Sequence, residues 1–260
     1  MYRRYEILLG LTLSIPMVAC GSSGDGGDSQ GNVILATTFD SDPTMQKSNG
    51  TQAWVIRDSE SGHFGSAHPG LSIDGDVLRF DSTGGDCCLD SRPRTDFPDG
   101  TRMIFSTRSV SNAVFNDDVA PEAGDLFPGW PWAGTNNWIN FEYDVANAHW
   151  AAATVMIYRR ESVQDQVLFV MNQIDDAPGS TNLTHKIIYV RTGLPLDEFI
   201  EVNLQLNSST HELGLTVNGE AQVKIPYERK YEAASKDDRF ATIAPNQAVV
   251  ELKYLKIVAP

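Results

Sequence analysis

The chain has 260 residues, 41% of them hydrophobic and 21% charged, which is enough apolar side chain for one sizeable core and too much for a disordered polymer. Its 20 basic and 34 acidic side chains leave a net charge of −14, so the surface repels nucleic-acid phosphates and disfavours DNA or RNA as a partner. With no Gly-x-Ser-x-Gly elbow, phosphate loop, dinucleotide fingerprint or HExxH motif, the serine-hydrolase, nucleotide and zinc-protease classes have no support.

In chain order, Arg3 and Arg4 precede an apolar run, Ile7–Ala19, whose 13 residues are too few to cross a bilayer's hydrocarbon. Residues 1–19 are therefore expected to be a signal peptide. The run ends Met17-Val18-Ala19-Cys20, and small residues before a Cys resemble the bacterial lipobox. That resemblance implies acylation of Cys20, membrane contact through the lipid anchor only, and, because no Asp follows Cys20 directly, the outer membrane of a Gram-negative envelope. An ordinary secretory signal with an incidental Cys is the alternative. Cleavage would remove Arg3, Arg4 and Glu6 and take the net charge from −14 to −15. Residues 21–32, GSSGDGGDSQGN, have no apolar side chain and read as a flexible tether with a root-mean-square span of roughly 20 Å. Residues 20–32 are thus the acylated Cys and tether, and 33–260 one domain.

From residue 33 onward the apolar stretches are short, alternate with period two, and end at Gly, Asn, Asp or Pro, as antiparallel strands do. Strands are expected at Thr101–Val110, Asn137–Val145, Thr154–Arg160, Gln166–Gln173, Lys186–Arg191 and Val249–Val258. Ile200, Val202, Leu204 and Leu206 alternate with polar residues, Ser208-Ser209-Thr210 turns the chain, and Leu213, Leu215 and Val217 alternate again before Asn218-Gly219, a strong hairpin signal. Asp74-Gly75 is the same device between Ile73 and Val77. Residues 228–239 are the one plausible helix, without an apolar stripe. At least nine strands with no internal linker predict an all-β, two-sheet antiparallel jelly-roll sandwich. Cys87 and Cys88 are adjacent, with α-carbons about 3.8 Å apart, closer than an ordinary disulfide spans. A strained vicinal disulfide, an intermolecular bond and inert thiols are the alternatives.

The segments Asp-Glu-Phe-Ile-Glu-Val-Asn-Leu-Gln-Leu (197–206), Leu-Gly-Leu-Thr-Val-Asn-Gly-Glu (213–220) and Val-Glu-Leu-Lys-Tyr-Leu-Lys-Ile-Val (250–258) resemble the late strands of concanavalin A-like jelly rolls. Thr38-Phe39-Asp40 and residues 73–80 are similar to that superfamily's first strands. The resemblance implies glycan contact, since its members include laminarinase-like glucanases, alginate-lyase-like lyases, legume-type lectins and laminin-G modules. It also implies a structural calcium held by Asp40, Asp42 and Glu251, whose hard oxygens suit that ion; no other cofactor is required.

The strand 137–145 is the most informative. Ile139, Phe141, Tyr143 and Val145 suit the core, which turns Trp138, Asn140, Glu142 and Asp144 to the opposite face. Carboxylates and an amide meet sugar hydroxyls, while an indole stacks on a pyranose ring; Trp130 and Trp132 in the loop before it could wall the same cleft. The competing reading makes these indoles ordinary core. Glu142-Tyr143-Asp144 is similar to the Glu-x-Asp-x-x-Glu strand of laminarinase-like glucanases, but Asn147 and Ala148 stand where the third acid should fall, so hydrolysis lacks its acid/base. Arg102, Ile104, Ser106 and Arg108 share one face of their strand, opposite Met103 and Phe105. Arg102 and Arg108, with Arg159 and Arg191, either grip uronate or sulfate groups or pair with nearby carboxylates, the commoner outcome. If the scaffold is catalytic, a polysaccharide lyase fits better than a hydrolase, with Glu142, Asp144, Arg108 and Tyr143 as candidate groups and Tyr158, Tyr189 and His185 as further bases. The expected function is a surface lipoprotein that binds an extracellular or envelope polysaccharide.

Overall fold

A computed structural model describes residues 33–38, 47–48, 51–52, 54–57, 70–81, 88–91, 98–112, 120–126, 153–175, 183–207, 209–228, 242–243 and 248–260. The elements in them are strands: β1 (Val33–Thr38), β2 (Lys47–Ser48), β3 (Thr51–Gln52), β4 (Trp54–Arg57), β5 (Gly70–Asp74), β6 (Val77–Asp81), β7 (Cys88–Ser91), β8 (Arg102–Asn112), β9 (Ala153–Arg160), β10 (Asp165–Asp175), β11 (Leu183–Pro195), β12 (Ile200–Asn207), β13 (Glu212–Val217), β14 (Val223–Pro226), β15 (Thr242–Ile243) and β16 (Ala248–Val258). The expected strand 137–145 lies outside the described residues, and so does the expected helix beyond Glu228.

Antiparallel pairing orders the larger sheet β14-β13-β12-β8-β16-β6-β5. Along its free side β16 pairs first with β6 and then, from Tyr254 to Val258, with β1. The second layer is β11-β10-β9, and the small sheets β15-β7-β4 and β2-β3 complete the set. One core joins the two layers: Phe80, Phe105, Val202, Leu204, Leu215, Leu252 and Leu255 from the larger sheet pack with Val155, Ile157, Leu168 and Val170 from the smaller. The domain is the expected all-β antiparallel jelly-roll sandwich. Its layers are also tied by polar groups, because Gln166 accepts a hydrogen bond from the Ser109 N–H at 3.0 Å and Arg159 donates to the Ser109 carbonyl at 2.9 Å.

Three local features depart from simple alternation. In β9 and β10 both faces are enclosed: Met156, Tyr158, Val167, Phe169, Met171 and Ile187 form a second cluster, each no more than 1% exposed, behind the face that meets the larger sheet. The runs Thr154–Tyr158 and Val167–Met171 are accordingly apolar almost without interruption, as a sheet buried on two sides requires. In β11 an extra residue between Arg191 and Leu194 forms a bulge at Gly193, whose φ of 73° puts it in the left-handed region. This lets the strand run Leu183–Pro195 rather than stopping at Arg191 as expected. In β16 a further bulge sets Leu252 opposite Thr107 but Tyr254 opposite Ser106.

The hairpin after β13 forms where the sequence puts it. Asn218 (φ 50°) and Gly219 (φ 71°) are both left-handed, the Glu220 N–H closes the turn on the Val217 carbonyl at 3.0 Å, and the Asn218 side chain accepts from the Glu201 N–H at 2.9 Å. The other turn falls one residue later than expected, at Gly75–Asp76, since Asp74 pairs with Val77. Substituting Gly219→Val forces a β-branched residue to positive φ and is expected to cost about 1–3 kcal/mol, read as a lowered urea midpoint with an unchanged m-value.

Candidate functional site

Of the site residues expected from the sequence, Arg102, Arg108 and Glu251, with the further candidates Arg159, Arg191, Tyr158, Tyr189 and His185, fall among those described. Cys20, Asp40, Asp42, Trp130, Trp132, Trp138, Asn140, Glu142, Tyr143 and Asp144 lie outside them, as does Cys87. Met103 and Phe105 point into the core, 0% and 1% exposed, so Arg102, Ile104, Ser106 and Arg108 occupy the outer face of the larger sheet, as the alternation of β8 requires.

That face is built in rows across the strands. In one row Arg79, Glu251 and Arg108 stand opposite each other on β6, β16 and β8. Glu251 Oε1 receives Arg79 at 2.9 Å, and its Oε2 receives the Arg108 Nη2 at 2.5 Å and Nε at 3.1 Å. Arg108 also donates to the Asp197 carbonyl at 3.1 Å and lies 4.8 Å from the centroid of the Phe199 ring. In the next row Ser106 stands between Tyr254 and Glu201, and the Tyr254 hydroxyl donates to the Glu201 carboxylate. Beyond it come Ile104 with Asn203 and Lys256, then Arg102 with Gln205 and Val258.

Two residues assigned to different sites by the sequence are thus brought together. Arg108 and Glu251 are 143 residues apart in the chain and form one ion pair. Glu251 has only 12% of its side chain exposed, with a guanidinium on each oxygen. A calcium ion, which takes six to eight oxygens, would have to displace both arginines to use it. Among the described residues no group of three His, Cys, Asp or Glu is placed to hold a metal. Arg159 pairs with Glu161 at 2.6 Å and Arg191 with Glu220 at 2.6 Å, so these two, like Arg108, take the commoner of their two expected roles.

Of the further candidate bases Tyr189 is half-buried on β11, and the other two are enclosed. Tyr158 is 1% exposed and packs edge-on against Phe169 with ring centroids 6.1 Å apart. His185 is 5% exposed on β11, and burial pushes its imidazole down to about 4, so it is neutral near neutrality. Asp165 and Arg160 form a buried bidentate pair that sequence reasoning missed; a carboxylate and an arginine flanking a four-residue turn were its only signal. Burial raises the Asp165 carboxyl, but hydrogen bonds from Arg160 and the Gly193 N–H, with the Arg160 charge, outweigh it and hold the group below its ordinary value. A shallow cavity of about 420 Å³ lies between Gly124, Lys186, Ile188, Pro226, Tyr227 and Glu228, with Lys186 and Glu228 ion-paired at 3.2 Å at its rim.

No family model and no curated protein matches the sequence. Solved structures of similar shape include a carbohydrate esterase of the Shiga toxin-encoding bacteriophage phi24B, at 11% identity and a TM-score of 0.47 over 88% of this chain and 100% of that one. A legume lectin-like domain from Entamoeba histolytica is similar at 8% identity and a TM-score of 0.48 over 87% and 97%. The catalytic domain of an endo-1,3-beta-glucanase from Thermotoga petrophila gives 8% and 0.48 over 88% and 97%. The likeness is one of overall shape.

Proposed function

We propose that the chain is a surface-anchored lipoprotein, acylated at Cys20, that binds an extracellular or envelope polysaccharide through the segment carrying Trp130, Trp132, Trp138, Asn140, Glu142 and Asp144. The observation that carries this reading is the gathering of four of the five Trp into residues 130–150, beside carboxylates at alternate positions. Indole faces and carboxylates together match the two sides of a sugar, its apolar C–H face and its hydroxyls. Further support comes from the start of the segment: the Gly124 N–H donates to the Ile187 carbonyl at 2.8 Å and the Ile187 N–H donates to the Asp125 carbonyl at 2.9 Å, so the chain enters residue 127 from a point pinned to β11. Binding is favoured over lyase chemistry because Arg108, Arg159 and Arg191 are engaged by carboxylates and Tyr158 is enclosed.

Affinity electrophoresis through gels cast with a panel of neutral and acidic glycans tests the reading. Trp138→Ala is expected to weaken retardation by one of them about tenfold or more, the cost of removing an aromatic anchor, without lowering the unfolding midpoint. A lower midpoint with unchanged retardation assigns the indole to the core instead. Absorbance of an unsaturated uronide on incubation would replace binding with a lyase, and loss of palmitate labelling in Cys20→Ser checks the anchor.

A further inference from the structure

We infer that the outer face of the larger sheet carries a second glycan surface, separate from the Trp-rich segment, at which Lys253 and Lys256 take the anionic groups of an acidic polysaccharide. The bulge in β16 creates it. Leu252, Leu255 and Ile257 all point into the core, a phase that regular alternation does not allow, and the extra residue at 253 is what reconciles them. The residue so inserted is a lysine, and the shift in phase also delivers Tyr254 and Lys256 to the outer face. Bulges re-aim side chains in this way next to binding sites.

Each ammonium is then held by a ring. Lys253 Nζ lies 4.9 Å from the centroid of Phe199, the same ring that Arg108 approaches at 4.8 Å, and Lys256 Nζ lies 5.2 Å from that of Tyr254. Such contacts position a cation without neutralising it. The carboxylates on these central strands are already engaged: Glu251 by two arginines and Glu201 by the Tyr254 hydroxyl. In a chain of net charge −14, β8 and β16 place Arg102, Arg108, Lys253 and Lys256 on one face with Glu251, and the neighbouring β12 adds Glu201, so cations outnumber acids there. Only an anionic partner complements that stripe.

The chemistry around the stripe selects the partner. Gln205, half-buried on the neighbouring β12, supplies an amide suited to sugar hydroxyls, and a sheet face accommodates an extended chain. A lipid surface would need large apolar side chains to insert; the exposed ones among the described residues, Val33, Ile73, Leu126, Val163 and Val223, stand on other strands or in turns. The distribution of charge also gives the interaction a distinctive dependence on salt. At low ionic strength the Debye length is about 30 Å and a polyanion feels the whole acidic protein, near 0.15 M it shrinks to about 8 Å and the local stripe dominates, and at about 1 M both are screened.

The test is retardation of the full chain in gels containing sodium alginate, a polyuronate, with dextran as the neutral control. Alginate is expected to retard the protein most near 0.15 M salt, and less at ~10 mM and at ~1 M. The double substitution Lys253→Glu and Lys256→Glu should weaken that retardation at least tenfold, Lys253→Arg with Lys256→Arg should preserve it, and Trp138→Ala should leave it intact, which separates this surface from the one proposed above. The inference is overturned if alginate does not retard the wild-type chain, if the double Glu variant binds as well as wild type while retaining its unfolding midpoint, or if phosphatidylglycerol vesicles compete the protein off alginate through the same two lysines. Should the double Glu variant fail to fold, Lys253→Gln with Lys256→Gln gives the same reading.

Discussion

Replacing Asp165 with alanine is expected to lower the stability of the domain by about 3–5 kcal/mol, the cost of stranding one charge of a buried pair. Arg160 donates its Nε to Asp165 Oδ1 at 2.8 Å and its Nη2 to Oδ2 at 2.6 Å, and the Gly193 N–H donates to Oδ2 at 2.7 Å. Both side chains are 9% exposed, so the substitution removes, away from water, the acceptor of two guanidinium hydrogen bonds and of a backbone N–H. The geometry makes one carboxylate close the β9–β10 turn and cap the bulge of β11. Urea unfolding at neutral pH reads the effect, and a loss below about 1 kcal/mol would show the pair to be effectively solvated. An apolar pair, Asp165→Leu with Arg160→Met, is expected to recover much of the loss, because the pair's worth comes mostly from not leaving a partner alone. The pH dependence has a definite sign. Asp165 titrates below its ordinary value of 3.8 in the folded state, so its contribution is complete above that value and disappears as the pH falls through the folded value.

His185 produces an acid-dependent loss at a higher pH. Its folded value of about 4 lies below its ordinary 6.5, so between those two values the unfolded chain binds a proton that the folded chain refuses. Stability is complete above pH 6.5 and declines toward pH 4, by about 3 kcal/mol over the whole interval at 1.36 kcal/mol per unit. Unfolding midpoints measured at pH 7, 5.5 and 4.5 should converge less steeply in His185→Gln than in wild type. Parallel curves for the two proteins would show that the imidazole titrates normally. Because the Asp165 window opens only below 3.8, the two effects separate on the pH axis.

Much of the fold is legible in the order of residues, and the reason is visible in β8 and β12. In β12 one face meets the core and the other is more exposed, so period two is imposed directly and Ile200, Val202, Leu204 and Leu206 are buried as their spacing predicts; Met103 and Phe105 of β8 follow the same spacing, although Ile104 and Ser106 between and beyond them are buried too. The same rule fails in β9 and β10, whose second cluster leaves no polar face to mark the alternation. It fails again in β16, although there the spacing of Leu252 and Leu255 was a signal: two residues between inward positions, where regular alternation leaves one, imply one inserted residue. Short strands such as β4, β7 and β15 carry too few residues for a period to register, and pairing with distant segments decides them.

The candidate site divides along the same line. Composition and local pattern were sufficient for a sandwich, a face shared by Arg102 and Arg108, and a Trp-rich segment, because each depends on neighbours in the chain. Which charge meets which was decided by tertiary structure: Glu251 joins Arg108 and Arg79 instead of standing with other acids, Asp165 reaches Gly193, and a single inserted residue carries Lys253 to Phe199. Coulomb and hydrogen-bond energies depend on separations of a few ångströms in space, and strand register, which spacing along the chain does not encode, sets those separations.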